Sequence, residues 1–281
     1  MTSVFVLFAV LLAGAVQEDV AAQELARLEG VWRFATVAVN GKEHPAPPFD
    51  TNKLIIAKGG RYVIVQGPRI THGVIQLDPT TSPKHYDVTV TGGRAKGIVT
   101  RGVYEIDGET YRICLPLDGK TRPAAVRSQP GTIFFAFTRE KRDYKEALVA
   151  VGRQELAGRW QSVSYALDGK KASDEQMKKI QLVIDPEGKA TALNDGKVFI
   201  ASAIKVDPAT DPMTMDVTYT DGDYKGTTSL GIYKIEDGVL TICRAPAKKP
   251  RPTTFGSAPG SGLTLMTYKR ETGKRDTGST K

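Results

Sequence analysis

The chain says nearly the same thing twice. Residues 28–42 read LEGVWRFATVAVNGK and residues 156–170 read LAGRWQSVSYALDGK, which sets Gly30 and Trp32 on Gly158 and Trp160, 128 positions later. Asn40-Gly41-Lys42 falls on Asp168-Gly169-Lys170, and Leu54-Ile55-Ile56 on Leu182-Val183-Ile184. The offset then grows by one, and Asp78-Pro79, Asp87-Val88-Thr89 and Gly102-x-Tyr104 meet Asp207-Pro208, Asp216-Val217-Thr218 and Gly231-x-Tyr233. Ile113-Cys114, Arg122-Pro123 and Pro130-Gly131 continue onto Ile242-Cys243, Arg251-Pro252 and Pro259-Gly260, and two further insertions bring Arg139-Glu140 to Arg270-Glu271. A period this long exceeds the roughly 20–50 residues of solenoid repeats, so one whole domain is duplicated in tandem. The 281 residues, 40% of them hydrophobic, suffice for two cores.

Within each copy the hydrophobic period is two, and the segments are short, β-branched and bounded by Gly, Pro, Asn and Asp. The first copy predicts strands near 31–39, 53–58, 61–66, 70–77, 84–91, 97–106, 110–115 and 132–139. Gly59-Gly60, Gly92-Gly93 and Asp107-Gly108 suit hairpin turns, which makes neighbouring strands antiparallel. Eight such segments close into an up-and-down barrel or pack as two sheets, and closure removes the exposed edges. Ser173-x-x-Gln176 has the form of a capping box and predicts a short helix over MKKI. Residues 143–156 read as a helical connector.

Gly-x-Trp at the head of the first strand and Arg at the end of the last resemble the lipocalin pattern. That resemblance implies an Arg lying over the Trp ring at the closed end of a barrel, here Arg139 on Trp32 and Arg270 on Trp160. The full set LxGxW…(N/D)GK…DPxxxP…GxYxI…ICL…RP…PG…RE is similar to a lipocalin-like domain of unknown function that forms a large paralogous family in planctomycete bacteria. The expected fold is therefore all-β, two tandem eight-stranded antiparallel calycin-type barrels with short helical connectors. The domains span residues 23–142 and 153–272, followed by a disordered tail over 273–281. Gly30, Trp32, Arg139, Gly158, Trp160 and Arg270 are expected to be structural. The resemblance also implies export, and assigns no reaction. RPAAVRSQPGT in the first copy stands where the second has RPTTFGSAPGSG, so any role of Phe255 or Ser261 belongs to the second copy.

The N-terminus, MTSVFVLFAVLLAGAVQ, carries an apolar run over 4–12 that is too short to span a bilayer, followed by Ala13-Gly14-Ala15. The expectation is a signal peptide over 1–15; an uncleaved anchor is the alternative. No later segment is apolar enough to cross a membrane, so the mature chain is expected to be extracytoplasmic, periplasmic or secreted, with no membrane span. Two cysteines, Cys114 and Cys243, do not make a disulfide scaffold. Alternation sets them on the faces of Arg112 and Thr241 as isolated thiols, or as a pair if a two-fold brought those faces together. The net charge of +8 is spread over both copies, with 18 basic and 13 acidic residues in 16–142 and 21 and 18 in 143–281. Scattered in this way, it argues against nucleic acid as a partner.

No reactive constellation emerges. His44, His72 and His85 all lie in the first copy and do not have the convergence a zinc site needs. Asp78 and Asp207, each before Pro, read as turn caps rather than calcium ligands. No metal or cofactor is expected. Tyr104 and Tyr233 are candidate lumen positions for ligand contact, with packing as their competing role. The favoured function is non-enzymatic binding of a small apolar or amphipathic ligand. The alternative is a cell-envelope structural or interaction module that binds protein or polysaccharide. Barrel volume separates the two: filled lumens defeat the carrier, and an open cavity above ~300 Å³ favours it.

Overall fold

The computed structural model describes residues 20–92 and 95–271. The signal peptide expected over 1–15, the tail over 273–281 and Gly93 of one hairpin lie outside those residues. The chain divides into two compact units, one through Ala147 and one from Leu148.

The first unit opens with helix α1 (20–28) and continues through β1 (Gly30–Val39), β2 (Lys42–His44), β3 (Asn52–Ile56), β4 (Arg61–Gln66) and β5 (Arg69–Asp78). It ends with β6 (Lys84–Val90), β7 (Val99–Asp107), β8 (Thr110–Pro116) and β9 (Thr132–Glu140). Strand β1 pairs with β3 on one side and β9 on the other, so the antiparallel sheet closes into an eight-stranded barrel; β2 adds a hairpin to the far half of β1. The second unit repeats the plan with α2 (Tyr144–Leu156), β10 (Gly158–Leu167), β11 (Lys170–Lys171), α3 (Asp174–Lys179), β12 (Ile180–Ile184) and β13 (Lys189–Asn194). Strands β14 (Lys197–Asp207), β15 (Thr214–Tyr219), β16 (Thr228–Glu236), β17 (Val239–Arg244) and β18 (Thr264–Arg270) complete it, with β10–β18 as the closing pair. Even the β-bulge recurs, between Phe34 and Thr36 and between Ser162 and Ser164. Among the described residues no helix is long and apolar enough to cross a membrane.

One device shuts the same end of each barrel. Trp32 Nε1 donates to the Leu28 carbonyl and Trp160 Nε1 to that of Leu156, both at 2.8 Å, tying each ring to the last residue of its preceding helix. Arg139 stacks on Trp32 at 4.2 Å and donates to the Arg27 and Glu29 carbonyls; Arg270 stacks on Trp160 at 4.1 Å and donates to those of Glu155 and Ala157. Each guanidinium thus satisfies carbonyls that a helix C-terminus leaves open, where a cation is also favoured by the helix dipole. Glycine precedes each Trp by two positions because the φ angles are +148° and +129°, and because a Cβ would sit 2.5 Å from Arg139 Nη1 or 2.8 Å from Arg270 Nη1.

Helix α1 was not expected, and α2 is more than a connector. Leu148, Val151 and Leu156 are buried, and Gly152 lies against Pro208 and Tyr233. A second domain beginning at 153 therefore keeps its Trp–Arg cap but leaves out buried Leu148 and Val151.

The remaining repeated residues fasten a strap, 117–131 or 245–263, to the outside of the wall. Arg122 reaches the Gly102 carbonyl and Asp87, and Arg251 reaches the Gly231 carbonyl and Asp216. Asn40 accepts from Gly131 N at 2.8 Å and Asp168 from Gly262 N at 2.7 Å. Cys114 and Cys243 are both free and buried beneath the strap, each donating from Sγ at 3.2 Å, to the Arg127 and Gly256 carbonyls.

Candidate ligand-binding site

The two lumens have the same walls and different contents. In the first, seven aromatic rings enter the core: Trp32, Phe34, Tyr62, Tyr86, Tyr104, Tyr111 and Phe137. They pack on one another, with Trp32–Tyr111 centroids at 5.4 Å, Phe34–Phe137 at 4.8 Å and Tyr111–Phe137 at 5.6 Å. In the second, Ser162 stands in register where the first has Phe34, Ala190 where it has Tyr62, Met215 for Tyr86 and Met266 for Phe135. These exchanges leave a cavity of about 850 Å³.

The backbone holds the mouth of that cavity open. Strand β10 pairs with β12 only from Gly158 to Gln161, and from Ser162 on the two strands part. Helix α3 stands in the gap. Ser173 caps it through the predicted capping box, Gln161 Nε2 donates to the Met177 and Ile180 carbonyls at 2.9 and 3.0 Å, and buried Met177 faces Ser162. The first copy has APPFDT at this place, where Pro47 and Pro48 push Ala46 and Pro47 away from helical backbone.

Along its axis the cavity changes character. Towards Trp160 the lining is Leu182, Ala190, Ile204, Met215 and Ile242, all buried and apolar. Towards the mouth come Arg244, Tyr219, Tyr268 and Thr264, with Asp195 paired to Lys179 at 3.4 Å. Leu167, Phe199 and Tyr224 form an exposed apolar rim, with the Tyr224 ring 5.8 Å from that of Tyr219. Burial lifts the Tyr268 phenol to about 12, although Arg244 pulls it the other way, so it remains a neutral donor.

The sequence-predicted positions fall elsewhere. Tyr104 and Tyr233 point inward but at the capped end. The Tyr104 hydroxyl donates to Glu24 of α1 at 3.3 Å, and Tyr233 is buried against Gly152 of α2, outside the cavity lining. Burial, and for Tyr104 the Glu24 carboxylate as well, holds both phenols well above their usual pKa. Both are packing residues. Asp78 and Asp207 cap their own turns, accepting from Thr80 N at 3.1 Å and Ala209 N at 2.9 Å. Asp87 and Asp216 are committed to Arg122 and Arg251. Phe255 lies under Lys234 at 5.4 Å, and Ser261 closes its own turn on the Ala258 carbonyl. His44, His72 and His85 lie on β2, β5 and β6, and among the described residues no three His, Cys, Asp or Glu side chains gather as a metal site. Sequence reasoning missed Arg244 and Tyr219, whose signal was their disagreement with Leu115 and Val90 at the matching first-copy positions.

No protein-family model, no curated protein and no solved structure matches the chain.

Proposed function

We propose that this is an exported, non-enzymatic carrier in which the second barrel holds one small apolar or amphipathic ligand and the first is a filled companion. The observation that carries the reading is the contrast between lumens: about 850 Å³ open in one, and seven packed aromatic rings in the other. A volume of that size lies within the ~300–1,000 Å³ of small-molecule sites, and its largely apolar wall with a few polar groups at one end matches their usual chemistry. Export rests on the apolar run and small-residue site of the first 15 residues. Native mass spectrometry of the full chain purified from its own host should reveal a retained ligand. Titration of the emptied protein with the neutral fluorophore N-phenyl-1-naphthylamine should saturate at one site. A ligand-free native mass together with no fluorophore binding would sink the carrier reading. An envelope module that uses its outer surface would then be the surviving alternative.

A further inference from the structure

Among the described residues, the lumen contains a cation without an ion-pair partner. Arg244 ends β17 with its side chain in the cavity, and among the described residues it makes no ion pair. Its Nε is buried with no hydrogen-bond partner. The other guanidinium nitrogens have only long contacts, to Tyr219 Oη at 3.4 Å and Met266 Sδ at 4.0 Å. The Tyr268 hydroxyl likewise finds only the Met266 thioether, at 3.4 Å, and sulfur is a weak acceptor. The one carboxylate in the lining, Asp195, is engaged by Lys179 at the rim. Strong donors thus converge where the acceptors they reach are distant or weak, and a part-buried cation without a counter-charge is costly.

Resting on the carrier reading, we infer that the ligand is a single-tailed amphipath with an anionic oxygen head group, bound tail-first. The head lies near the mouth on Arg244, with Tyr219 and Tyr268 beside it. The tail runs down the apolar stretch lined by Ile204, Met215 and Ile242 towards Trp160. Guanidinium matches the oxygens of a carboxylate or phosphate in fixed, charge-assisted geometry, and the low dielectric of the lumen strengthens the contact.

The test uses one tail with four heads, each below its micelle concentration, competing for N-phenyl-1-naphthylamine on the full chain: dodecanoate, dodecyl phosphate, dodecanol and dodecyltrimethylammonium. Wild type should prefer at least one anion over dodecanol by about tenfold or more, and the cation should bind worst; the tighter anion identifies the head. Arg244→Met should remove the preference while dodecanol still binds, and Arg244→Lys should keep part of it. Equal binding of anions and alcohol by wild type, a comparison that needs no folded variant, would overturn the head-group inference and leave the carrier intact. An unchanged anion preference in Arg244→Met would overturn it as well. Failure of all four, with no fluorophore binding, would remove the carrier reading itself.

Discussion

The first barrel is a template for closing the second. At the cross-strand pair Tyr62 and Gly73, the tyrosine ring lies so close over the glycine that a Cβ there would be 2.3 Å from Cε1. The matching pair in the second barrel is Ala190 and Ser202, both buried at the cavity wall. Ala190→Tyr alone drives its ring into the Ser202 Cβ, and overpacking of that kind costs about 1–3 kcal/mol. Burying an aromatic side chain contributes about 1.5–3 kcal/mol, so the single variant should be close to neutral. Adding Ser202→Gly relieves the clash at a strand-glycine cost of about 0.5–1 kcal/mol. The double variant should therefore exceed wild type by roughly 1–2 kcal/mol, with a favourable coupling of at least ~1 kcal/mol in a double-mutant cycle. Guanidinium unfolding of all four proteins measures the cycle, and fluorophore titration should show the double variant at least tenfold weaker. A stable double variant that binds like wild type would refute the lumen as the site. Absence of coupling would refute the equivalence of the two walls.

Three further outcomes follow from the capped ends. Trp32→Ala should destabilise the first barrel by about 3–5 kcal/mol, because the ring is fully buried and tied to Leu28 and Arg139; an unchanged melting temperature would make that packing dispensable. Burial alone raises the Glu24 carboxyl, but Lys84 and Arg27 overcome it and hold the pKa below its usual 4.5. Its stabilisation is then complete above pH 4.5 and lost as pH falls through the lowered folded-state value. Calorimetry should accordingly show an acid-sensitive component in the first barrel that Glu24→Gln removes, and none at Gly152, its counterpart in the second. A second half expressed from residue 143 should melt well above one expressed from 153, which lacks buried Leu148 and Val151; equal melting would return α2 to the status of a linker.

The architecture was legible because the duplication supplied two independent readings of each strand. The eight expected segments lie within two residues of the observed ones. The short β2 escaped because three exposed residues carry no periodic signal, and α1 because its apolar positions occupy little more than two turns. The site was read poorly for a physical reason. The polar and glycine positions on which the copies agree hold turns, straps and end caps, and the agreeing Leu182, Val217 and Ile242 supply wall that both barrels share. Tyr104 and Tyr233 agree because both fill the floor beneath a helix. The cavity lies where the copies disagree at inward positions, such as Phe34 against Ser162 and Tyr62 against Ala190, so the alternation that located the lumen had also marked its lining.

The Trp–Arg end cap has a kinetic consequence. With Trp160 fully buried between Leu156 and Arg270, that end of the lumen is closed, and on the carrier reading a guest would leave by the route it entered. The rim, where α3, Phe199 and Tyr224 stand, would set how fast uptake and escape both run, while the depth of the tail pocket sets their ratio and so lengthens residence as it tightens binding. Variants at Phe199 or Tyr224 should accelerate uptake and escape together and leave the ratio of the two rates almost unchanged.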